Sequence, residues 1–208
     1  MVIGPSCSGK STLIQELTRR YPSTIGPVSG LTSRERRPDD IAKSYRYVEH
    51  SDKGLAEPLR KIENGEVVQY AIHSTTGQLY ASEPGDYPAA INVLDTMFQT
   101  VDGLTKVPFE ATRAIGIVTP PELWREWFLK RYPVPSPERS KRLTEAYLCL
   151  EWMQQQAAEK LTLVENQPGN IEATAKKVYT SKDTSHPEHG SRLEALVNEC
   201  YRLARDMI

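Results

Sequence analysis

Residues 4–12 read Gly4-Pro5-Ser6-Cys7-Ser8-Gly9-Lys10-Ser11-Thr12 and come directly after the apolar pair Val2-Ile3. This stretch fits the pattern G-x-x-x-x-G-K-[ST], in which glycines let the backbone curl until its N–H groups point at a polyphosphate. The lysine adds a positive charge, the serine hydroxyl can bind Mg²⁺, and the helix that follows directs its positive dipole end at the same anion. The sequence therefore predicts a nucleoside triphosphate site, whose residues in this stretch are Gly4, Ser6, Ser8, Gly9, Lys10, Ser11 and Thr12.

The bulk composition limits the class of protein. With 208 residues, the chain is long enough for one domain with a sizeable core. Its 26 basic and 27 acidic residues leave a net charge of −1, so neither a nucleic-acid nor a membrane partner is expected. Three widely spaced cysteines suit no disulfide framework, and no leader or long apolar run is seen, so we expect a cytoplasmic protein. A native chain that begins slightly earlier is left open.

Behind the loop, the apolar pattern alternates between helical and extended periods. Helices are predicted over 11–20 and 51–64, from Pro120-Pro121, from Pro137, over 171–179, and from a capping box at Ser191 to Met207. Strands are predicted over 45–48, 67–72, 79–82, 89–94, 114–118 and 161–164. Strands that alternate with helices favour an α/β fold, with a parallel sheet and helices on both faces. The last helix is expected to dock on the domain or to form a homodimer contact.

Six further segments follow the loop in a fixed order. They are Thr32-Ser33-Arg34-Glu35-Arg36-Arg37-Pro38; Tyr45-Arg46-Tyr47-Val48; Tyr80-Ala81-Ser82; Val93-Leu94-Asp95 with Gln99; Arg131 with Arg142-Leu143 and Ala146; and Val164-Glu165-Asn166. In this order and spacing they resemble motifs of the guanylate kinase family of nucleoside monophosphate kinases. The resemblance runs from Ile3 to about Tyr179.

The resemblance implies roles for individual residues. It implies that Lys10 is catalytic together with Arg131 and Arg142, which a mobile lid delivers to the transferring phosphoryl group. Ser11 and Asp95 would organise Mg²⁺, and Asn166 would contact the adenine of ATP. The residues implied to bind the acceptor nucleotide are Arg34, Arg37, Tyr45, Gln69, Tyr80 and Ser82.

Several of these residues have a plainer interpretation. The arginines near Asp40 fit a solvated charged loop, and Tyr80 fits an ordinary strand aromatic. Asp95 could cap a strand, and an asparagine before Pro168-Gly169 is common in turns. The thiol of Cys7 lies near a helix N-terminus, which could lower its pKa, but a small residue in a tight turn is the favoured interpretation.

Departures from the family concentrate on the positions that read guanine, where this chain has Gly30, Gln69 and Met97. Guanine presents adjacent N–H donors that a carboxylate accepts, whereas an amide facing the same edge sets donor against donor, at about 1–3 kcal/mol. Either the acceptor is another nucleotide or phosphate ester, or the alignment is shifted, because the interval from Gln69 to Tyr80 is longer than in the family.

These observations predict an ATP-dependent kinase that transfers a phosphoryl group to GMP or a related nucleoside monophosphate, with Mg²⁺ as cofactor. Two alternatives remain: a kinase of the same fold for a non-guanine acceptor, and a catalytically silent binding module. The expected kinase domain spans 1–180, with an acceptor lobe over about 30–85 and a lid over about 126–142. A polar linker and an amphipathic helix would follow over 181–208, in a monomer or a homodimer.

Overall fold

The computed structural model describes residues 1–37, 40, 45–156, 160–166, 169–180 and 187–208, with 187–193 described as backbone alone. The strands are β1 (Val2–Ile3), β2 (Ile25–Pro27), β3 (Gly30–Thr32), β4 (Tyr45–Tyr47), β5 (Gln69–Ile72), β6 (Leu79–Ser82), β7 (Ile91–Val93), β8 (Ile115–Val118) and β9 (Thr162–Glu165). The helices are α1 (Lys10–Arg20), α2 (Asp52–Glu63), α3 (Val101–Leu104), α4 (Pro121–Arg131), α5 (Pro137–Gln155), α6 (Ile171–Thr180) and α7 (Pro187–Met207).

A parallel sheet forms the centre of the molecule. Strand β8 pairs with β1 on one side and with β9 on the other, and β2 pairs with β7. A parallel bridge between Val2 and Asp95 joins the two groups, so the order is β2–β7–β1–β8–β9. The amide of Val2 donates to the Leu94 carbonyl at 2.8 Å, which continues β7 alongside β1. The phosphate loop thus leaves a strand in the middle of the sheet.

Helices cover both faces of this sheet, as the alternation of its buried residues requires. Val2 and Ile117 belong to a core cluster with side chains of α1 and α6. Their neighbours Ile3 and Val118 belong to a second cluster with side chains of α4, α5 and α7. The α/β fold predicted from the alternation of strands and helices is confirmed.

A second sheet, of four strands, carries Tyr45, Gln69, Tyr80 and Ser82, four of the residues predicted to bind an acceptor nucleotide. Its order is β4–β3–β6–β5, with β3 parallel to β4 and antiparallel to β6, and with β5 and β6 forming a hairpin. The hairpin turns between His73 and Gln78, whose backbones pair at 2.8 Å. Residues 74–77 make the turn of this hairpin.

Most predicted elements are present, with shifted ends. Helix α1 begins at Lys10 rather than Ser11, and α7 begins at Pro187 rather than Ser191, because proline is well suited to the first turn of a helix. The predicted strand over 89–94 is shorter than expected, because the Asn92 side chain bonds the Ala89 backbone in both directions. The sequence interpretation did not resolve β2, β3 or the helical turns over 98–104.

Helix α7 packs mainly along α5 and also contacts α4, β8 and β9. Val197, Cys200 and Ala204 are buried in the core cluster of α4 and α5. The rings of Tyr147 and Tyr201 stack with centroids 4.9 Å apart, and their hydroxyls bond at 3.0 Å. The described apolar residues of α7 therefore pack against this chain. Within the described part of the chain, no helix has the length and apolar character needed to span a bilayer.

Candidate active site

The loop between β1 and α1 is held in one conformation by its own backbone. Gly9 has φ +88° at the N-cap of α1, a left-handed conformation that other residues rarely adopt. An added Cβ at Gly9 would also collide with the Asn166 amide. Cys7 has φ +66°, also in the left-handed region. Burial raises the pKa of its thiol, although Arg131 and Lys10 act in the opposite direction. Cys7 therefore serves the turn rather than a reactive thiolate.

Three side chains from outside the loop hold its carbonyl groups. The indole Nε1 of Trp124 donates to the Ser6 carbonyl at 2.8 Å. The Thr119 hydroxyl and the Asn166 amide both donate to the Ser8 carbonyl at 3.0 Å. The sequence interpretation treated Trp124 as packing alone and did not single out Thr119. We call Thr119, Trp124 and Asn166 the loop braces.

Asn166 does not line the main cavity, because its amide is committed to the loop. Its implied contact with adenine stays a prediction. The side chain of Ser8 is fully buried, and its hydroxyl has no partner among the described residues. Ser8, Gly9 and Thr12 also lie outside the cavity lining, and their implied contacts with a triphosphate stay predictions.

The cavity has a volume of about 490 Å³ and brings most of the predicted residues together. The predicted site residues that line it are Gly4, Ser6, Lys10, Ser11, Arg34, Arg37, Tyr45, Gln69, Tyr80, Asp95, Arg131 and Arg142. They come from the loop and the first turn of α1, from the segment after β3, from three strands of the second sheet, from the end of β7, and from α4 and α5. Residues distant in sequence thus form one site, next to the N-terminus of α1.

Lys10 bends back over the loop. Its Nζ donates to the carbonyl of Gly4 at 2.8 Å and to that of Pro5 at 3.1 Å. These contacts hold the ammonium group beside the cavity, where an incoming phosphate oxygen could replace either carbonyl.

Arg34 is held by a carboxylate that the sequence interpretation did not assign to the site. Its guanidinium forms a two-pronged ion pair with Asp40, at 2.7 and 2.6 Å. Asp40 also accepts hydrogen bonds from the Arg37 amide and the Tyr47 hydroxyl, each at 2.7 Å. Burial acts to raise the pKa of Asp40, but these donors and the charge of Arg34 lower it well below its usual range. Asp40 therefore fixes the direction of the guanidinium.

Two tyrosines flank Arg34. The Arg34 guanidinium lies 5.0 Å from the ring centroid of Tyr45, and the Tyr45 and Tyr80 rings meet edge to face at 6.0 Å. Burial raises the pKa of both hydroxyls, so both stay protonated and can donate to an anion. This arrangement is more specific than the solvated charged loop considered from the sequence.

Arg142, on α5, is buried and linked to the second sheet. Its Nη1 lies 2.9 Å from Glu145 Oε2, and its Nε lies 2.9 Å from Glu138 Oε1. The same Glu145 oxygen lies 3.2 Å from Nε2 of His73, at the end of β5. The Thr75 amide donates to Nδ1 of His73 at 3.4 Å, and Nη1 of Arg142 lies 3.4 Å from Nε2 of His73. We call His73, Arg142 and Glu145 the hairpin clasp; only Arg142 was predicted as a site residue.

Burial acts to raise the pKa of Glu145, but His73 and Arg142 lower it to about 2.

Arg131, at the end of α4, also lines the cavity, and its guanidinium lies 5.9 Å from the Tyr132 ring centroid. The two predicted lid arginines therefore reach the cavity from different helices.

Asp95 follows β7 and lies partly buried beside β1. Burial raises the pKa of its carboxyl, while the nearby charge of Lys10 lowers it. A cation bound here would favour the ionised carboxylate. Ser11 reaches the same cavity from the first turn of α1. Their oxygen atoms are the type of ligand that Mg²⁺ prefers.

The remaining predicted residues lie toward the hairpin. Gln69 lines the cavity, with its Oε1 buried and without a hydrogen-bond partner among the described residues. Gly30 and Met97 line the cavity as well. Ser82 does not line it: its side chain is fully buried, and its hydroxyl bonds that of Tyr87 at 2.7 Å. Ser82 therefore has a structural partner, and its implied contact with a nucleotide stays a prediction.

Comparisons with known proteins point to one family. No protein-family model matches the chain. A curated guanylate kinase from Thermotoga maritima is 28% identical over 140 residues, covering 63% of this chain and 62% of that protein. The chain thus matches less than two thirds of its relative's length. The crystal structure of guanylate kinase from Anaplasma phagocytophilum has a TM-score of 0.54 at 19% identity, covering 86% of this chain and 81% of the other. The second likeness is one of fold.

Proposed function

We propose that this guanylate kinase-like protein, with its α/β P-loop fold, is an ATP-dependent nucleoside monophosphate kinase acting on GMP or a related nucleotide. The observation that best supports the proposal is the convergence of the loop lysine and four of the five lining arginines from separate parts of the chain on one cavity. These residues are Lys10, Arg34, Arg37, Arg131 and Arg142. A site that holds a single small anion would not need positive charge from so many elements.

Transfer between two nucleotides explains this distribution of charge. An oxygen of the acceptor phosphate attacks the γ-phosphorus of ATP in line, and the bond from that phosphorus to the β–γ bridging oxygen breaks. No covalent enzyme intermediate is needed. The two reactants repel each other, so the protein's task is to position them and to offset their negative charge.

The residues of the cavity divide this task. Lys10 and the loop amides would hold the donor phosphates. Arg34 and Arg37, with the tyrosines beside them, would hold the acceptor phosphate, and Asp40 would keep Arg34 oriented. Arg131 and Arg142 approach from α4 and α5 and would neutralise charge on the transferring group.

The proposal includes Mg²⁺ as cofactor with ATP. The described residues contain no group of three or more His, Cys, Asp or Glu side chains that could hold a metal ion. The ion would therefore be bound through Ser11, through Asp95 directly or by way of water, and through the phosphates, as is usual for Mg²⁺. When bound, it would offset the charge of the phosphate oxygens.

The alternatives differ in how well the cavity supports them. A binding module would not need the intact phosphate loop, and both Lys10 and Ser11 are present at the cavity. Gln69 lines the cavity, and the sequence resemblance matches it to a carboxylate that reads guanine, so its amide favours a kinase for a non-guanine nucleotide. The cytoplasm is the compartment that the proposal implies, since the three cysteines are unpaired.

The test is a coupled assay of ADP release with ATP, Mg²⁺ and a panel of nucleoside monophosphates. We expect turnover with at least one monophosphate, and a loss on the order of 10²-fold or more in Lys10→Ala. The matched control is Lys177→Ala, which removes an exposed lysine of α6 and should keep the wild-type rate. Equal rates in the wild type and Lys10→Ala would exclude this mechanism, and no ADP release with any monophosphate would favour the binding module.

A further inference from the structure

The inward face of β5 presents an amide to the cavity. Tyr70 and Ile72 point outward and are 53% and 63% exposed. Because side chains alternate along a strand, Gln69 and Ala71 point to the opposite face, and Gln69 lines the cavity. This direction is fixed by the pairing of Gln69 with Ser82 in the hairpin.

Four residues on neighbouring strands of the second sheet lie side by side in the order Tyr45, Gly30, Ser82 and Gln69. Gly30 pairs with Tyr45 of β4 and, by continuation of the β3–β6 register, lies opposite Ser82. Gly30 contributes no side chain, and an added Cβ would lie 2.7 Å from the Ala81 carbonyl oxygen. The Ser82 hydroxyl is engaged by Tyr87. Gln69 is therefore the residue of this row that offers hydrogen bonds at the end away from Tyr45.

The side-chain oxygen of Gln69 lacks a hydrogen-bond donor. Its Oε1 is buried without a partner among the described residues. A buried acceptor without a partner costs about 1–3 kcal/mol, which a ligand that donates to Oε1 would recover. Because Gln69 lines the cavity, a ligand donor that reaches this oxygen is expected to bond to it.

The segment that packs against β5 brings both apolar and polar side chains to the cavity, including the exposed amide of Gln99. The segment over 98–100 packs against β5, and Leu94, Met97 and Phe98 line the cavity. The hydroxyls of Thr96 and Thr100 bond each other at 2.6 Å.

The carboxylates that line the cavity have cationic neighbours. Asp40 pairs with Arg34, and Glu145 pairs with Arg142. Asp95 lies where the charge of Lys10 acts on it. Gln69 is therefore a neutral polar group in a cavity whose carboxylates already have cationic neighbours, and its amide is the group that we take to read a nucleobase.

An amide can satisfy only certain base edges. Its oxygen accepts from one donor, and its NH₂ group donates to one neighbouring acceptor in the same plane. The pair O6 and N1–H of a 6-oxopurine matches it, as does O4 with N3–H of a 4-oxopyrimidine. The pairs N6–H with N1 of adenine and N4–H with N3 of cytosine match it as well. The 2-amino group of guanine is a second donor beside N1–H, and an amide has no second acceptor for it.

We infer that Gln69 reads the acceptor base through one donor beside one acceptor, so that the 2-amino group of guanine adds nothing to recognition. The substrate class is a nucleoside monophosphate whose base carries such an edge, and IMP should be as good an acceptor as GMP. This inference rests on the proposed function, because it takes the cavity to be the acceptor site.

The experiment compares kcat/KM for IMP and GMP, which differ only in the 2-amino group, with AMP, CMP, UMP and dTMP in parallel. We expect IMP to match or exceed GMP, with a ratio no less than about one third. A preference for GMP of tenfold or more in the wild type would overturn the inference.

Two variants sharpen the result. Gln69→Glu supplies a carboxylate that can accept both guanine donors, and should shift the GMP-to-IMP ratio at least tenfold toward GMP. Gln78→Glu makes the same change on the same hairpin but outside the cavity, and should leave the ratio unchanged. An unchanged ratio in a folded Gln69→Glu protein would contradict the inference. If that variant does not fold, the wild-type ratio alone decides.

Failure of the proposed function gives a different result. If no monophosphate supports ADP release, the kinase assignment fails, and calorimetric titration of the wild type with GMP and with IMP tests the base reading by itself. Equal dissociation constants would support it, and tenfold tighter binding of GMP would overturn it. Absence of binding by every monophosphate would overturn both proposals.

Discussion

Replacement of Glu145 by glutamine should reveal how much the hairpin clasp stabilises the fold. The Glu145 pKa is lowered from 4.5 to about 2, because His73 and Arg142 outweigh the effect of burial. By linkage, this difference corresponds to about 3 kcal/mol of stability at pH 7. A glutamine side chain would keep the size of the native one but not its charge, so Glu145→Gln should lower the free energy of unfolding by about that amount at pH 7.

The dependence on pH follows from the direction of the shift. A carboxyl group whose folded pKa is lowered stabilises the protein fully above its unfolded pKa, here near 4.5, and this contribution is lost as the pH falls toward 2. The difference between wild type and Glu145→Gln should therefore decrease from about 3 kcal/mol at pH 7 to about 1 kcal/mol at pH 3.

Urea unfolding, followed by circular dichroism at several pH values, measures both quantities. The control is Glu138→Gln, which removes the other carboxylate bonded to Arg142. The Glu138 side chain is 52% exposed, so its loss should cost less than about 1 kcal/mol. A loss below about 1 kcal/mol for Glu145→Gln at pH 7, or one that stays constant down to pH 3, would refute this reasoning.

Two further predictions concern the phosphate loop and the thiols. Gly9→Ala should destabilise the protein by at least about 1–2 kcal/mol in thermal or urea unfolding, because Gly9 has a positive φ and the Asn166 amide lies where the new Cβ would be. The control is Gly85→Ala, where an added Cβ meets nothing within 4 Å, and this variant should differ little from the wild type. Burial raises the pKa of every cysteine thiol, to about 12 in two of them. Alkylation of the native protein at pH 7.5 should therefore be much slower than that of a free thiol. Fast labelling of one equivalent would contradict the buried arrangement. The three thiols are those of Cys7, Cys149 and Cys200.

The sequence predicted the fold and the residues that line the cavity better than it predicted the contacts that hold those residues in place. The phosphate loop has strict backbone requirements, so a short pattern identifies it, and alternating apolar runs predict the α/β fold. The spacing of Arg34, Arg37 and Tyr45 also has a chemical meaning that can be read locally. These residues indeed line one cavity with Lys10.

Residues that hold or orient other residues were harder to predict from the sequence. Trp124 is completely buried and looks like core, because its bond to the Ser6 carbonyl depends on tertiary structure. His73 and Glu145 lie far apart in sequence and meet only in the fold, and no local pattern connects them. Asp40 lies in a charged stretch in which the sequence does not distinguish a solvated carboxylate from one that orients Arg34.

The loop braces have a consequence for how the loop would meet an anion. Three different elements donate to the carbonyls of Ser6 and Ser8. In a trans peptide the N–H points opposite to the C=O, so turning these two carbonyls toward the protein body turns the amide hydrogens of Cys7 and Gly9 outward. The direction of the peptide dipoles is thus set when the chain folds, before any nucleotide arrives. A triphosphate would meet dipoles already aligned and would lose little affinity to ordering the backbone.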